Sequence, residues 1–256
     1  MPTSEIIIFT HTDYNDIWHI ITQTLGETIG TKIPIYFALN KETPIPFKKY
    51  LYTELNTYPQ RIIEVLEQSH SDYILFFHDN DILMSFNNNK YEKLLDFMKT
   101  DNITRLILGV LPSKTFYKQI DTIMIGKADE NCSEAFLTPY DVGPSIWNRI
   151  DLINIMSKFI NETYRTIESS AIQEECKKYT IVGICYINTP VRFTQGRPFS
   201  TDFSFCHILL RGKWIPEEAQ QDYRPFFQYL FSSGIVDPSI RGFIPHHGGM
   251  DIKYLY

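Results

Sequence analysis

Two aspartates, Asp79 and Asp81, stand one residue apart in the segment SDYILFFHDNDILM, residues 71 to 84, directly behind a run of apolar and aromatic side chains. Carboxylates are hard oxygen ligands. Two of them delivered together at the end of a strand can hold a divalent cation such as Mg2+ or Mn2+, and the cation can bridge to phosphate oxygens. The competing reading of the same residues is a turn, because Asp and Asn side chains accept hydrogen bonds from nearby backbone amides. A calcium loop starting at Asp79 would need Gly at its sixth position and Glu at its twelfth, and Met84 and Lys90 stand there instead.

The acidic pair needs a strand to carry it, and YILFF (73 to 77) has that composition. Earlier, EIIIFT (5 to 10) reads as a strand, followed by a helix with Ile17, Trp18, Ile20, Ile21 and Leu25 at helical spacing. KIPIYFAL (32 to 39) and, more weakly, KYLYTE (49 to 54) read as strands, and YPQRIIEVLEQS (58 to 69) as a helix with Pro59 in its first turn. A helix over 89 to 100 and a strand RLILGVL (105 to 111) complete an alternation of fully apolar strands with helices. This pattern predicts an α/β domain with a mixed, mostly parallel central sheet flanked by helices. Ligands of such sheets sit beyond the carboxyl ends of the strands, which is where Asp79 and Asp81 fall. The second half predicts strands at 122 to 126, 180 to 187 and 206 to 210. Its helices are expected from Pro144 to about Phe159, from Ile167 to Lys178, and onward from Pro216.

At 256 residues, 43% hydrophobic and 21% charged, the chain can bury one sizeable core. We expect one domain over 1 to 256, with about 1 to 110 binding a nucleotide and about 111 to 256 shaping an acceptor site. A formal net charge of -6 argues against a nucleic-acid surface, which needs excess Lys and Arg. Cys132, Cys176, Cys185 and Cys206 show no zinc spacing, so reduced structural thiols are expected. No basic leader and no apolar stretch of roughly 20 residues is visible, and the sequence expectation is an intracellular protein without a transmembrane segment.

The stretch YPQRIIEVLEQSHSDYILFFHDNDIL resembles the pattern of GT-A-type, nucleotide-sugar-dependent glycosyltransferases: a loop with a basic residue, a helix, an apolar strand and a D-x-D metal motif. Farther on, YDVGPSIWNRIDLINIM (140 to 156) and CHILLRGKW (206 to 214) are similar to later blocks of that family, in the same order. Gly143 stands where the pattern often has Gln, and the aromatic and acidic block expected next is reduced to TYRTIESS (163 to 170). The resemblance implies transfer of a sugar from a nucleotide diphosphate sugar, UDP- or dTDP-linked, to a glycan or other hydroxyl acceptor, with inversion and with Mn2+ or Mg2+ as cofactor. By the same resemblance Asp81 ligates the metal directly, and Asp79 acts through water or on the ribose with Asn80 beside it. Thr10, His11, Thr12 and Asp13 lie by the nucleotide base, and Arg61 meets the diphosphate. Trp147 and Asp141 face the acceptor, Glu168 is the general base with Glu174 and Glu175 nearby, His246 or His247 adds a third metal ligand, and Arg211 or Lys213 meets phosphate. Two alternatives stay open. One is a phosphatase of the haloacid-dehalogenase type with Asp79 as nucleophile, in which Leu83 stands where Thr or Val is usual. The other is a relative that binds nucleotide sugar or glycan without turnover.

Overall fold

The computed structural model describes residues 2–30, 32–111, 116–127, 139–185, 191–194, 197–216 and 220–244. Its first strands are β1 (Ser4–Phe9), β2 (Ile35–Leu39), β3 (Lys48–Leu51) and β4 (Tyr73–His78), and the order β3-β2-β1-β4 is parallel throughout. Successive side chains of a strand point to opposite faces of the sheet. On β1, Ile6 and Ile8 enter one core layer while Ile7 and Phe9 enter the other; on β4, Leu75 and Phe77 divide from Ile74 and Phe76 in the same way. Both faces are covered, which is why these strands are apolar at every position rather than at alternate ones.

Helices α1 (Trp18–Thr28) and α3 (Asn88–Thr100) pack their apolar stripes into the layer of Ile6 and Ile8. Helix α2 (Tyr58–Gln68) packs into the layer of Ile7, with α4 (Arg149–Lys158) and α5 (Ser170–Cys176) beside it. A capping box starts α2: the Thr57 hydroxyl accepts from Gln60 N, and Gln60 Oε1 accepts from Thr57 N at 2.8 Å. Such a cap is worth about 1 kcal/mol and fixes the first turn of α2 beside the sheet edge.

The sheet continues past β4 through β9 (Ser145–Asn148), β6 (Arg105–Leu111), β10 (Ile181–Cys185), β8 (Ile123–Lys127) and β7 (Phe116–Ile120). Strand β9 runs antiparallel to both β4 and β6, so the sheet is mixed and largely parallel. Strand β12 (Arg197–Ser200) pairs with β11 (Val191–Thr194) and with β6. The chain forms a single α/β domain with helices on both faces of this sheet, the arrangement expected of Rossmann-like and GT-A folds.

Several boundaries differ from the sequence expectation. The helix expected from Pro144 begins only at Arg149, because Ser145 to Asn148 are the short central strand β9, whose Ile146 and Trp147 each enter one core layer. The helix expected from Pro216 is α6 (Arg224–Ser232). The acidic pair leads into β5 (Asp81–Phe86), a strand the sequence reading did not assign, which pairs antiparallel with β13 (Phe203–His207). The predicted strand 206 to 210 divides between β13 and β14 (Leu209–Leu210), and β14 makes a hairpin with β15 (Lys213–Trp214).

Candidate functional site

Strand β1 connects to β2 on one side while β4 lies on its other side, so a crevice opens where the strand order reverses, at the carboxyl ends of β1 and β4. A cleft of about 600 Å3 occupies this position. It is lined by Thr10, His11 and Asp13 after β1, by Tyr52 and Glu54 after β3, by Tyr58 and Arg61 of α2, by His78 at the end of β4 with Asp79 and Asn80 after it, and by Tyr164, Arg211 and Gly212.

Asp79 is 7% exposed and accepts a hydrogen bond from the Thr10 hydroxyl through Oδ2. Burial pushes its carboxyl up to about 7, against the pull of the Thr10 hydroxyl and the Arg241 guanidinium, while the Asp81 charge adds to the rise. Asn80 forms the turn to β5; its carbonyl accepts from Ile208 N at 2.8 Å, and its buried side-chain Oδ1 has no hydrogen-bond partner. Asp81 does not line the cleft. Its Oδ1 accepts from His207 Nδ1 at 2.9 Å across the pairing of β5 with β13, where the two residues are in register. The two aspartates are therefore unlike: Asp79 faces the cleft, and Asp81 is turned behind it onto a buried histidine. His207, quoted in CHILLRGKW but given no role, could be found only from a pairing that spans 126 residues.

The oxygen donors in the cleft, Asp79 and the buried Asn80 Oδ1, suit a hard cation that takes its remaining ligands from water and phosphate. Among the described residues no group of three His, Cys, Asp or Glu converges into an all-protein metal cage. His246 and His247 lie outside the described residues.

The other residues of the first loop are held in a network. His11 Nδ1 accepts from Asp13 N at 3.2 Å, so its Nε2 carries the proton given to Glu54 Oε1 at 3.2 Å. Thr12 N donates to Asn40 Oδ1 at 3.0 Å, and Thr12 Oγ1 is buried without a partner. Arg61 lines the cleft and also braces the loop before its helix: Nε donates to Asn56 O at 2.8 Å, another nitrogen donates to Glu54 O, and the guanidinium lies 5.5 Å above the Tyr52 ring.

Aromatic rings form the far wall. His78 Nδ1 donates to Val142 O at 3.2 Å, and since a carbonyl only accepts, Nε2 must accept from the Tyr58 hydroxyl at 2.8 Å. Burial pulls His78 down to about 4 and keeps it neutral. Tyr164 packs edge-on against Tyr58, 5.1 Å between centroids. Its phenol is pushed up by burial first, then by the charges of Glu168, Asp81 and Asp79. Glu168 is not part of the cleft lining; its charge is felt at Tyr164, and its Oε1 accepts from Val142 N at 2.8 Å.

The two residues expected at the acceptor are elsewhere. Trp147, expected on a helix, lies on β9, 2% exposed, with the Arg105 guanidinium 4.9 Å from its ring. Asp141 pairs with the fully buried Arg105 at 2.6 Å and accepts from Gly143 N at 2.7 Å. A Cβ at residue 143 would lie 2.9 Å from Asp141 Oδ1, which accounts for Gly where the resembled family often has Gln. Glu174 and Glu175 are taken up by lysines, Glu174 by Lys177 and Glu175 by Lys158 and Lys178. Lys213 sits on β15, outside the cleft lining.

The rim beside the first loop is closed from the far end of the chain. Arg241 Nε donates to Asp16 Oδ2 at 2.7 Å and a terminal nitrogen donates to Asp13 O at 2.9 Å, while the guanidinium lies 4.4 Å from the Tyr14 ring. Its other terminal nitrogen points to Gly212 O at 3.4 Å, at the tip of the β14-β15 hairpin.

No family model matches the chain, and no curated protein matches it. Solved structures similar to it include S. aureus TarS 1-349 in complex with UDP-GlcNAc, at 12% identity and TM-score 0.45, over 72% of this chain and 56% of that one. The bifunctional IspDF from Campylobacter jejuni is 10% identical with TM-score 0.40, over 72% of this chain and 49% of that one. Mannosyl-3-phosphoglycerate synthase from Rubrobacter xylanophilus is 11% identical with TM-score 0.36, over 58% of this chain and 54% of that one. The chain spans about half the length of these structures.

Proposed function

We propose that the chain binds a nucleotide diphosphate sugar in the cleft between β1 and β4 and transfers the sugar to a hydroxyl acceptor, with Mn2+ or Mg2+ as cofactor. The observation that supports this reading is the convergence of a buried, cleft-facing carboxylate (Asp79), an unpartnered amide oxygen (Asn80) and the first turn of α2 at the point where the strand order reverses. Parallel sheets bind ligands at that point, and a helix start favours negative charge. Asp79 and Asn80 would hold the cation, and Asp81 would add negative potential from behind the turn. A bound cation supplies charge neutralisation on the diphosphate leaving group. The protein's own share is to bind the base along Thr10 to Asp13, to place the sugar against Tyr58 and Tyr164, and to accept the acceptor's proton at Glu168.

The test is a thermal-shift series with UDP and dTDP, each with Mn2+ and with EDTA, followed by turnover of UDP- and dTDP-sugars. A ligand that binds the folded state alone raises the melting temperature. Stabilisation that needs Mn2+ supports the reading, and equal stabilisation in EDTA removes the metal from it. Release of inorganic phosphate from simple phosphoesters would transfer the site to the phosphatase alternative, and binding without turnover to the non-catalytic one.

A further inference from the structure

Trp18 begins α1 and sits in the core, 5% exposed, its ring against Phe37. A buried indole needs a partner for its N–H. Trp18 Nε1 donates to Thr10 Oγ1 at 2.9 Å, and the same hydroxyl donates to Asp79 Oδ2. With Asp79 ionised the direction of this chain is fixed, because an indole nitrogen can only donate, a carboxylate can only accept and a threonine hydroxyl carries one proton.

We propose that Trp18 is a positioning residue for the cleft: by occupying a lone pair of Thr10 Oγ1 it commits the Thr10 proton to Asp79 Oδ2 and leaves Asp79 Oδ1 as the oxygen offered to a bound cation or phosphate-linked ligand. The inference rests on the nucleotide-diphosphate reading for the identity of the ligand, but the relay itself is a property of the free protein. Thr10 has a competing acceptor in His11 O at 3.4 Å. Without the indole donor the hydroxyl can rotate toward it, and the Asp79 carboxylate loses the contact that fixes its plane. A packing role alone would make Trp18 matter to stability and not to which oxygen of Asp79 faces the cleft.

The relay is tested first without ligand, by the indole 15N–1H resonances of Trp18, Trp147 and Trp214. Thr10→Val should move the Trp18 signal strongly. Asp79→Asn should also move it, since an amide in place of the carboxylate changes what Thr10 donates to, although Asp79 is one residue removed from the indole. A Trp18 signal unchanged in Asp79→Asn would overturn the relay. The second arm measures affinity for UDP in the presence of Mn2+. Thr10→Val should weaken binding roughly tenfold and Trp18→Phe about threefold to fivefold, on the scale of losing one charge-assisted hydrogen bond. Thr10→Ser, which keeps the hydroxyl, should bind close to wild type. The double variant Trp18→Phe, Thr10→Val should bind no more weakly than Thr10→Val alone, while its loss of melting temperature is the sum of the two. Additive losses in affinity would assign Trp18 a packing effect and overturn the proposal. If the wild type binds neither Mn2+ nor UDP, the nucleotide reading fails, and the ligand-free resonances still decide the relay.

Discussion

Two buried carboxylates lie at opposite ends of the paired strands β1 and β4, and the protein treats them differently. Glu5, near the start of β1, is 4% exposed and receives the Tyr50 hydroxyl at 3.1 Å and the Ser71 hydroxyl at 3.1 Å. Asp79, just past the end of β4, has one hydroxyl donor, from Thr10, and is pushed up to about 7 by burial. Two donors satisfy the first carboxylate within the fold. The second, which also draws on the His11 backbone amide, lies on the edge where a parallel sheet meets its ligands. The contrast separates a carboxylate taken up by side chains within the fold from one that faces the cleft, and the proposed function predicts that the second trades stability for binding.

The sharpest way to break this comparison is to delete both carboxylates in turn. Asp79→Ala should abolish Mn2+-dependent UDP binding, a larger loss than the roughly 10–100-fold that follows removal of an outer-shell partner at a metal site. Its ligand-free melting temperature should hold or rise. Glu5→Ala should do the opposite, leaving UDP affinity in place and costing about 1–3 kcal/mol for the stranded Tyr50 and Ser71 hydroxyls, by denaturant unfolding. If Glu5→Ala loses the ligand as well, the two ends are not separate.

Asp141 sharpens the same division, because its placement against Arg105 makes it structural although it was expected at the acceptor. Asp141→Ala leaves a fully buried guanidinium without its carboxylate and should cost about 3–5 kcal/mol in unfolding free energy. UDP affinity of the remaining folded protein should be unaltered. Glu168→Gln is expected to behave as its converse, with unfolding unchanged and transfer to acceptor cut by roughly 100-fold or more at full donor affinity.

A smaller effect comes from pH. An aspartate raised from about 4 when unfolded to about 7 when folded withdraws stability as pH climbs through that interval, because the unfolded chain ionises first. His78, lowered from about 6.5 to about 4, withdraws stability as pH falls through its own interval. Asp79→Asn should therefore match the metal-free wild type in melting temperature near pH 4 and exceed it increasingly up to pH 7 to 8, where the difference levels off. A constant offset across the range would mean that Asp79 is not held neutral by burial. The smallest expected change is Glu174→Gln, which touches a surface pair and should stay within about 0.5 kcal/mol in stability and leave turnover alone.

How much of this was legible in the sequence follows from how local each signal is. Strands β1, β4 and β6 declare themselves by unbroken apolar runs, and α2 by Pro59 in its first turn. Asp79 was placed from its position at the carboxyl end of an apolar strand, and Thr10, His11, Asp13, Asn80 and Arg61 from the family resemblance, and all six line one cleft. What failed depends on distant pairing. Ile146 and Trp147 have the composition of a helix start, and only their insertion between β4 and β6 makes them a strand. Asp81 was expected to ligate the metal directly and Asp79 to act through water; that Asp81 is turned away from the cleft depends on β13, which brings His207 beside it. Asp141 and Trp147 were read from a motif's order, while the buried charge of Arg105 takes them both into the interior.

The clasp made by Arg241 ties a loop near the start of the chain to a residue 225 positions later. A ribosome adds roughly 5–20 residues per second, so the first loop emerges some ten to fifty seconds before its brace. Strands β1 to β4 contain their own partners and can pair during that interval, but the rim formed by Asp13, Tyr14 and Gly212 waits for the last described turn. A nascent chain that has not yet reached Arg241 has the paired strands β1 to β4 without the brace on the loop of Asp13 to Asp16.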